Sequence, residues 1–127
     1  MTTRPPTKLV KEYTFTEREV REWCERSDNS NSLYLDGSDR IVPLPMIIDV
    51  ASGRAETLVD VREPELGVFA SSIKTFPRGE ALRLEEAVEI TAEFDFDDER
   101  YSYVYFEARA TERDTVCAEG YVSVLVE

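Results

Sequence analysis

The sequence predicts an α+β domain in which an antiparallel sheet packs on one long helix. Three observations carry that reading. The second half of the chain alternates apolar and polar residues with a period of two over successive runs. The stretch MIIDVASGRAETLV, after Pro43 and Pro45, carries instead a wide apolar stripe at helical spacing. Short turn sequences separate the alternating runs, so the strands join as hairpins rather than through helical crossovers.

Taken in order, residues 1–8 read as a flexible terminus and 9–127 as a single domain, opening with a short strand over 9–15. Thr16 and Glu19 form a capping box, and Phe15 and Val20 stand at the positions of a hydrophobic staple. Val20, Trp23 and Cys24 then share one face of a helix that ends near Ser27, with Trp23 assigned to the core. DNSNSLYLDGSDR, residues 28–40, is crowded with residues whose side chains bond locally to the backbone, and it reads as a loop.

The central helix is expected over about 45–59. Met46, Ile47, Val50, Ala51, Ala55, Leu58 and Val59 lie on its apolar side, opposite Asp49, Gly53, Glu56 and Asp60. GVFASSIKTF is a strand that ends at a Pro77-Arg78-Gly79 turn. Residues 80–96 read as one long, bent strand, with Leu82, Leu84, Val88, Ile90, Ala92, Phe94 and Phe96 on its buried face. A turn at 97–100 leads to YSYVYFEARAT, where Val104, Phe106, Ala108 and Ala110 oppose Tyr101, Tyr103 and Tyr105. A second turn, at Glu112 to Asp114, leads to a last strand with Val116, Ala118, Val122, Val124 and Val126 on one side. The tyrosine row fits either a dimer interface or an exposed surface.

Composition narrows the chemistry. A formal charge of -12 disfavours nucleic acid, because binding needs Lys and Arg to displace counterions from phosphates, and it disfavours anionic membrane surfaces by the same repulsion. No run approaches the roughly 18 apolar residues of a membrane span, and the N-terminus lacks a secretory apolar stretch, so the expected location is the cytoplasm. Cys24 and Cys117 are far apart and fit two buried thiols in a reducing compartment. With no histidine, the commonest general base and the commonest metal ligand are both missing, and no metal or cofactor is expected.

Three stretches resemble the hotdog superfamily, and the element order extends that resemblance over residues 9–127. FTEREVREWCERSDNSNSLYLD is similar to the opening of MaoC-like hydratases, where a helix runs into a loop patterned Asp-x-Asn-Pro-x-His. PLPMIIDVASG is similar to the central hotdog helix, and KTFPRGEALRL to a turn between two hotdog strands. The resemblance implies a sheet wrapped around one helix, dimers with pockets between protomers, and acyl thioesters of CoA or acyl carrier protein as ligands. On the family's loop, Asn29 replaces the catalytic Asp, Asn31 keeps the Asn, Ser32 replaces the Pro and Tyr34 replaces the His. Asn29 and Asn31 become candidate substrate contacts, and Tyr34 a candidate hydrogen-bond donor to the thioester.

Asp49 resembles the helix carboxylate of carrier-protein dehydratases and of some hotdog thioesterases, so it is a candidate for directing a water at a thioester carbonyl. Backbone N–H groups at Met46, Ile47 and Ile48 would polarise the carbonyl oxygen. Asp49 also fits the plain polar side of an amphipathic helix. Three functions follow as alternatives: a thioester-binding MaoC-like protein with unconventional or absent hydratase activity, a thioesterase using Asp49, and a non-catalytic partner of another hotdog subunit or a ligand-binding regulator.

Overall fold

A computed structural model describes residues 6–64, 67–77 and 80–126. Part of the expected flexible terminus, and Arg78 and Gly79 of the expected turn, lie outside these residues. The elements in chain order are β1 (Lys8–Thr14), α1 (Glu17–Arg26), α2 (Ser32–Leu35), α3 (Leu44–Arg62), β2 (Val68–Pro77), β3 (Ala87–Asp98), β4 (Tyr101–Ala110) and β5 (Thr115–Val126). The five strands form one antiparallel sheet in the order β1-β3-β4-β5-β2.

α3 crosses one face of this sheet and touches all five strands. Its Met46, Ile47, Ala51, Ala55, Leu58 and Val59 are buried, as the stripe predicts, against Val88, Ile90, Val104, Phe106 and Val122 of the sheet. Each of the larger side chains among them contributes roughly 1.5–3 kcal/mol of transfer free energy. Gly120 of β5 sits where the neighbouring strand β2 and the Phe106 ring of β4 approach its backbone most tightly. A Cβ there would stand 2.0 Å from the Lys74 carbonyl oxygen and 2.9 Å from the Phe106 ring, so only glycine fits.

α1 forms as its caps predict. Thr16 Oγ1 accepts from the Glu19 N–H at 3.2 Å, and Phe15 and Val20 are both buried. α3 starts at Leu44 and runs to Arg62, one residue earlier and three later than expected. Its extension rests on Arg62, whose guanidinium lies 3.8 Å over the Phe94 ring.

Four expectations need correction. The 28–40 stretch is not all loop: the Asn31 side chain caps the one-turn helix α2. Residues 80–86 are not the start of a strand. Glu85 adopts φ 62 and its N–H donates to the Phe15 carbonyl, which ends the extended path and delays β3 to Ala87. Leu82 is nonetheless buried, because its carbonyl accepts from the Val42 N–H at 2.8 Å. The turn expected over 97–100 is confined to Glu99 and Arg100, since β3 continues to Asp98.

The fourth concerns parity. A bulge between Phe94 and Phe96 pairs Phe96 with Tyr103, so Phe96 lies on the sheet face away from α3, 50% exposed. A second bulge, at Cys117, pairs Val116 with Arg109 on that same outer face. Cys24 and Cys117 are free and buried, and burial pushes both thiols up.

Candidate functional site

The loop after α1 is built from its own polar side chains. Asp28 turns the chain at φ 52, and the Asn29 N–H donates to the Cys24 carbonyl at 2.8 Å. Asn29 Oδ1 accepts from the Asn31 N–H, and Asn31 Oδ1 accepts from the Leu33 N–H, both at 3.0 Å. Both candidate amides therefore spend their carbonyl oxygens on the turn. Tyr34 is half-buried, with its ring edge-on to Trp23 at 6.4 Å between centroids. Trp23 is half-buried as well and packs on the core.

The far end of the loop is pinned. The Ile41 N–H donates to the Leu33 carbonyl at 2.9 Å, and Arg40 donates to the Glu17 carboxylate at 2.9 Å. Arg40, with Arg21 on the same carboxylate, holds Glu17 below its ordinary value. A cavity of about 190 Å³ lies between α1 and the loop, and Asn29, Cys24 and Arg21 contribute to its wall. Asp49 does not.

Asp49 is exposed on α3, one turn into the helix. Met46 and Ile47 send their side chains into the core, 8% and 3% exposed. The Met46 N–H donates to the Pro43 carbonyl at 3.0 Å, Pro45 has no N–H, and Pro43 offers no side-chain cap. The helix start is thus poor in free donors, as its two prolines imply.

Two features escaped sequence reasoning. Thr75 Oγ1 is buried without a hydrogen-bond partner, a cost of about 1–3 kcal/mol that a ligand acceptor would relieve. Thr75 pairs with Gly120, whose face of β5 packs on α3. No sequence signal marks it, since an ordinary strand threonine reads the same.

The second is a groove of about 400 Å³ on the outer sheet face, walled by Phe96 and Tyr103 on one side and Lys74 on the other, with Ser72 and Ser123 between. It was hidden by the parity change at the bulge, although the tyrosine row pointed to that face. Beside it, the Tyr105 hydroxyl donates to Glu119 at 2.8 Å, and burial together with that carboxylate drives its pKa far above the usual phenol value. Among the described residues no group of His, Cys, Asp and Glu could hold a metal, and no helix is long and apolar enough to cross a membrane.

No protein-family model matches the chain, and no curated protein sequence does. Solved structures match along its whole length. An (R)-hydratase from A. caviae involved in PHA biosynthesis has a TM-score of 0.78 at 16% identity, covering 98% of this chain and 97% of that one. Smu.793 from Streptococcus mutans, bound to acetyl CoA, has a TM-score of 0.73 at 9% identity, covering 100% and 86%. A mutant of the fluoroacetyl-CoA-specific thioesterase FlK has a TM-score of 0.72 at 12% identity, covering 100% and 90%. The fold is the hotdog fold, with its antiparallel sheet laid on one long central helix.

Proposed function

We propose that the chain binds acyl thioesters of CoA or of acyl carrier protein, with hydratase or dehydratase chemistry that is unconventional or absent. The observation that carries this reading is the Asn29–Tyr34 loop, set in a fold shared along its length with an (R)-hydratase. Hydration across a double bond needs a positioned group that takes up and returns a proton. An amide does not titrate, and both amide oxygens already hold the turn. The Tyr34 hydroxyl offers a hydrogen bond to a thioester carbonyl but does not replace the family's general base.

Calorimetric titration with acyl-CoAs of graded chain length, with free CoA as control, tests the binding. Saturable binding that depends on the acyl group is expected, and its absence across the series overturns the proposal. Loss of enoyl-CoA absorbance should run roughly 10²–10⁴ slower than in an enzyme with an intact acid/base pair. Any residual rate should fall in Tyr34→Phe.

Asp49 supports a second reading, thioester hydrolysis, because its exposed carboxylate is open to water and one structural neighbour is named as a thioesterase. That reading expects thiol release to vanish in Asp49→Asn, and release that survives the change removes it. The non-catalytic reading, as a partner subunit or regulator, fails if the purified protein turns over unaided. Protomers would pair along β2, because β1 guards the other edge with an exposed lysine, Lys11, in register with the helix-side residue Ile90.

A further inference from the structure

We propose that Arg40 is a positioning residue, which closes a ring with Glu17 and Glu85 and so fixes the end of the Asn29–Tyr34 loop against the start of α3. Three contacts between segments make the ring. Glu85 Oε1 accepts from the Glu17 N–H at 2.8 Å, the Glu17 carboxylate accepts from Arg40 at 2.9 Å, and the Arg40 carbonyl accepts from the Leu84 N–H at 3.3 Å, next to Glu85 in the chain. The segment after β2 thereby meets α1 and the far end of the loop at one place. A lone surface ion pair holds little, but around a closed ring each contact keeps the others within reach. A glutamate at φ 62 is uncommon and persists where its surroundings hold it. Glu85 is held by its N–H on the Phe15 carbonyl and its carboxylate on Glu17, one on each side of the α1 cap Thr16.

Charge gives Arg40 its weight. Its guanidinium stands among Glu17 of α1, Asp36 of the loop and Glu85, and these carboxylates, Glu17 foremost, hold it above its ordinary value. Without it, acids from three segments would face one another. Arg21 also reaches Glu17, at 3.2 Å, but from within α1, so it ties no second segment to that helix. From the ring the chain leads both ways into the candidate site. The Ile41 N–H donates to the carbonyl of Leu33, the residue before Tyr34. In the other direction Val42, whose N–H donates to the Leu82 carbonyl at 2.8 Å, leads through Pro43 into α3. Arg113 donates to Glu86 and to the Ala81 carbonyl at 3.0 Å, which anchors the segment after β2 to the turn before β5. The bearing of this ring on a ligand rests on the thioester reading above; the ring itself does not.

Amide hydrogen exchange, followed residue by residue, tests the ring on the free protein. In Arg40→Met the Ile41 amide should exchange about tenfold faster, while the Phe106 amide, in the middle strand of the sheet, keeps its rate. Arg40→Lys keeps a cation and a donor and should recover most of the protection. An unchanged Ile41 rate overturns the proposal. Equal acceleration of Ile41 and Phe106 overturns it too, because that marks a general loss of stability. Acyl-CoA titration then separates the ring from the thioester reading. Arg40→Met should weaken binding about tenfold, with Arg40→Lys close to the unmodified affinity. If the unmodified protein binds no acyl-CoA, the thioester reading falls and the exchange rates alone decide the ring. If it binds and Arg40→Met binds equally well, the positioning role is overturned while the thioester reading stands.

Discussion

The two faces of β4 follow different rules. Toward α3 the strand presents Ser102, Val104, Phe106, Ala108 and Ala110, all buried; away from it stand Tyr101, Tyr103, Tyr105, Glu107 and Arg109, all half-buried. The inner residues act through burial, which has magnitude but little direction. The outer ones carry hydroxyls, carboxylates and a guanidinium, whose interactions depend on where each partner sits. One strand therefore holds the layers together with one set of residues and carries directional polar pairs with the other. The single polar side chain on the inner set, Ser102, donates to Asp97 at 2.6 Å and so meets the rule that buried polar groups are paired.

The sharpest way to break the inner face is Gly120→Ala. Because the added carbon meets backbone, β2 and β5 must separate, and the change should cost about 4 kcal/mol or more, close to the whole stability of many small domains. Urea unfolding, or failure to recover folded protein, would show it. Phe106→Ala should cost about 3–5 kcal/mol. Tyr103→Ala, three residues earlier and on the other face, should cost about 1 kcal/mol in stability. Equal losses from the two would erase the distinction between the faces.

A smaller effect sharpens the contrast at the sheet's end. Arg113 donates to both oxygens of Glu86, at 2.5 and 2.8 Å, and also pairs with Glu80. This holds Glu86 below the ordinary carboxylate value. A carboxyl lowered on folding stabilises above its unfolded pKa and loses that contribution as pH falls through the folded one. Glu86→Gln should therefore cost about 1 kcal/mol at pH 7, and the gap from the unmodified chain should close as pH drops below about 4. A gap that persists at pH 3 would mean the pair acts through packing rather than charge.

What could be read from the sequence was what is local. The Thr16–Glu19 cap, the Phe15–Val20 staple and the α3 stripe all lie within a few residues and appear in the structure where expected. The short helix α2 was missed because asparagine and serine serve caps and loops alike. Leu82 and Leu84 carried the two-residue repeat backward from β3. What ended that strand was Glu85 bonding to Phe15, a contact 70 residues apart in the chain that no window reveals. Phe96 was misassigned because a bulge is a property of two strands and not of one. For the site, the sequence identified the side of α3 that bears Asp49 but not its separation from the Asn29 cavity, because that depends on how α1 and α3 pack.

The bulge in β3 also bears on how this chain can change length. Phe94 and Phe96 face opposite ways only because one residue between them, Asp95, is surplus to the pairing with β4. Deleting Asp95 would shorten β3 while every remaining side chain kept its face. Deleting Thr91, four positions earlier, would invert one arm of the strand, sending acids into the core and apolar residues out. The extra residue thus works as a joint where evolution can add or remove a unit of length without rewriting the pattern on either side.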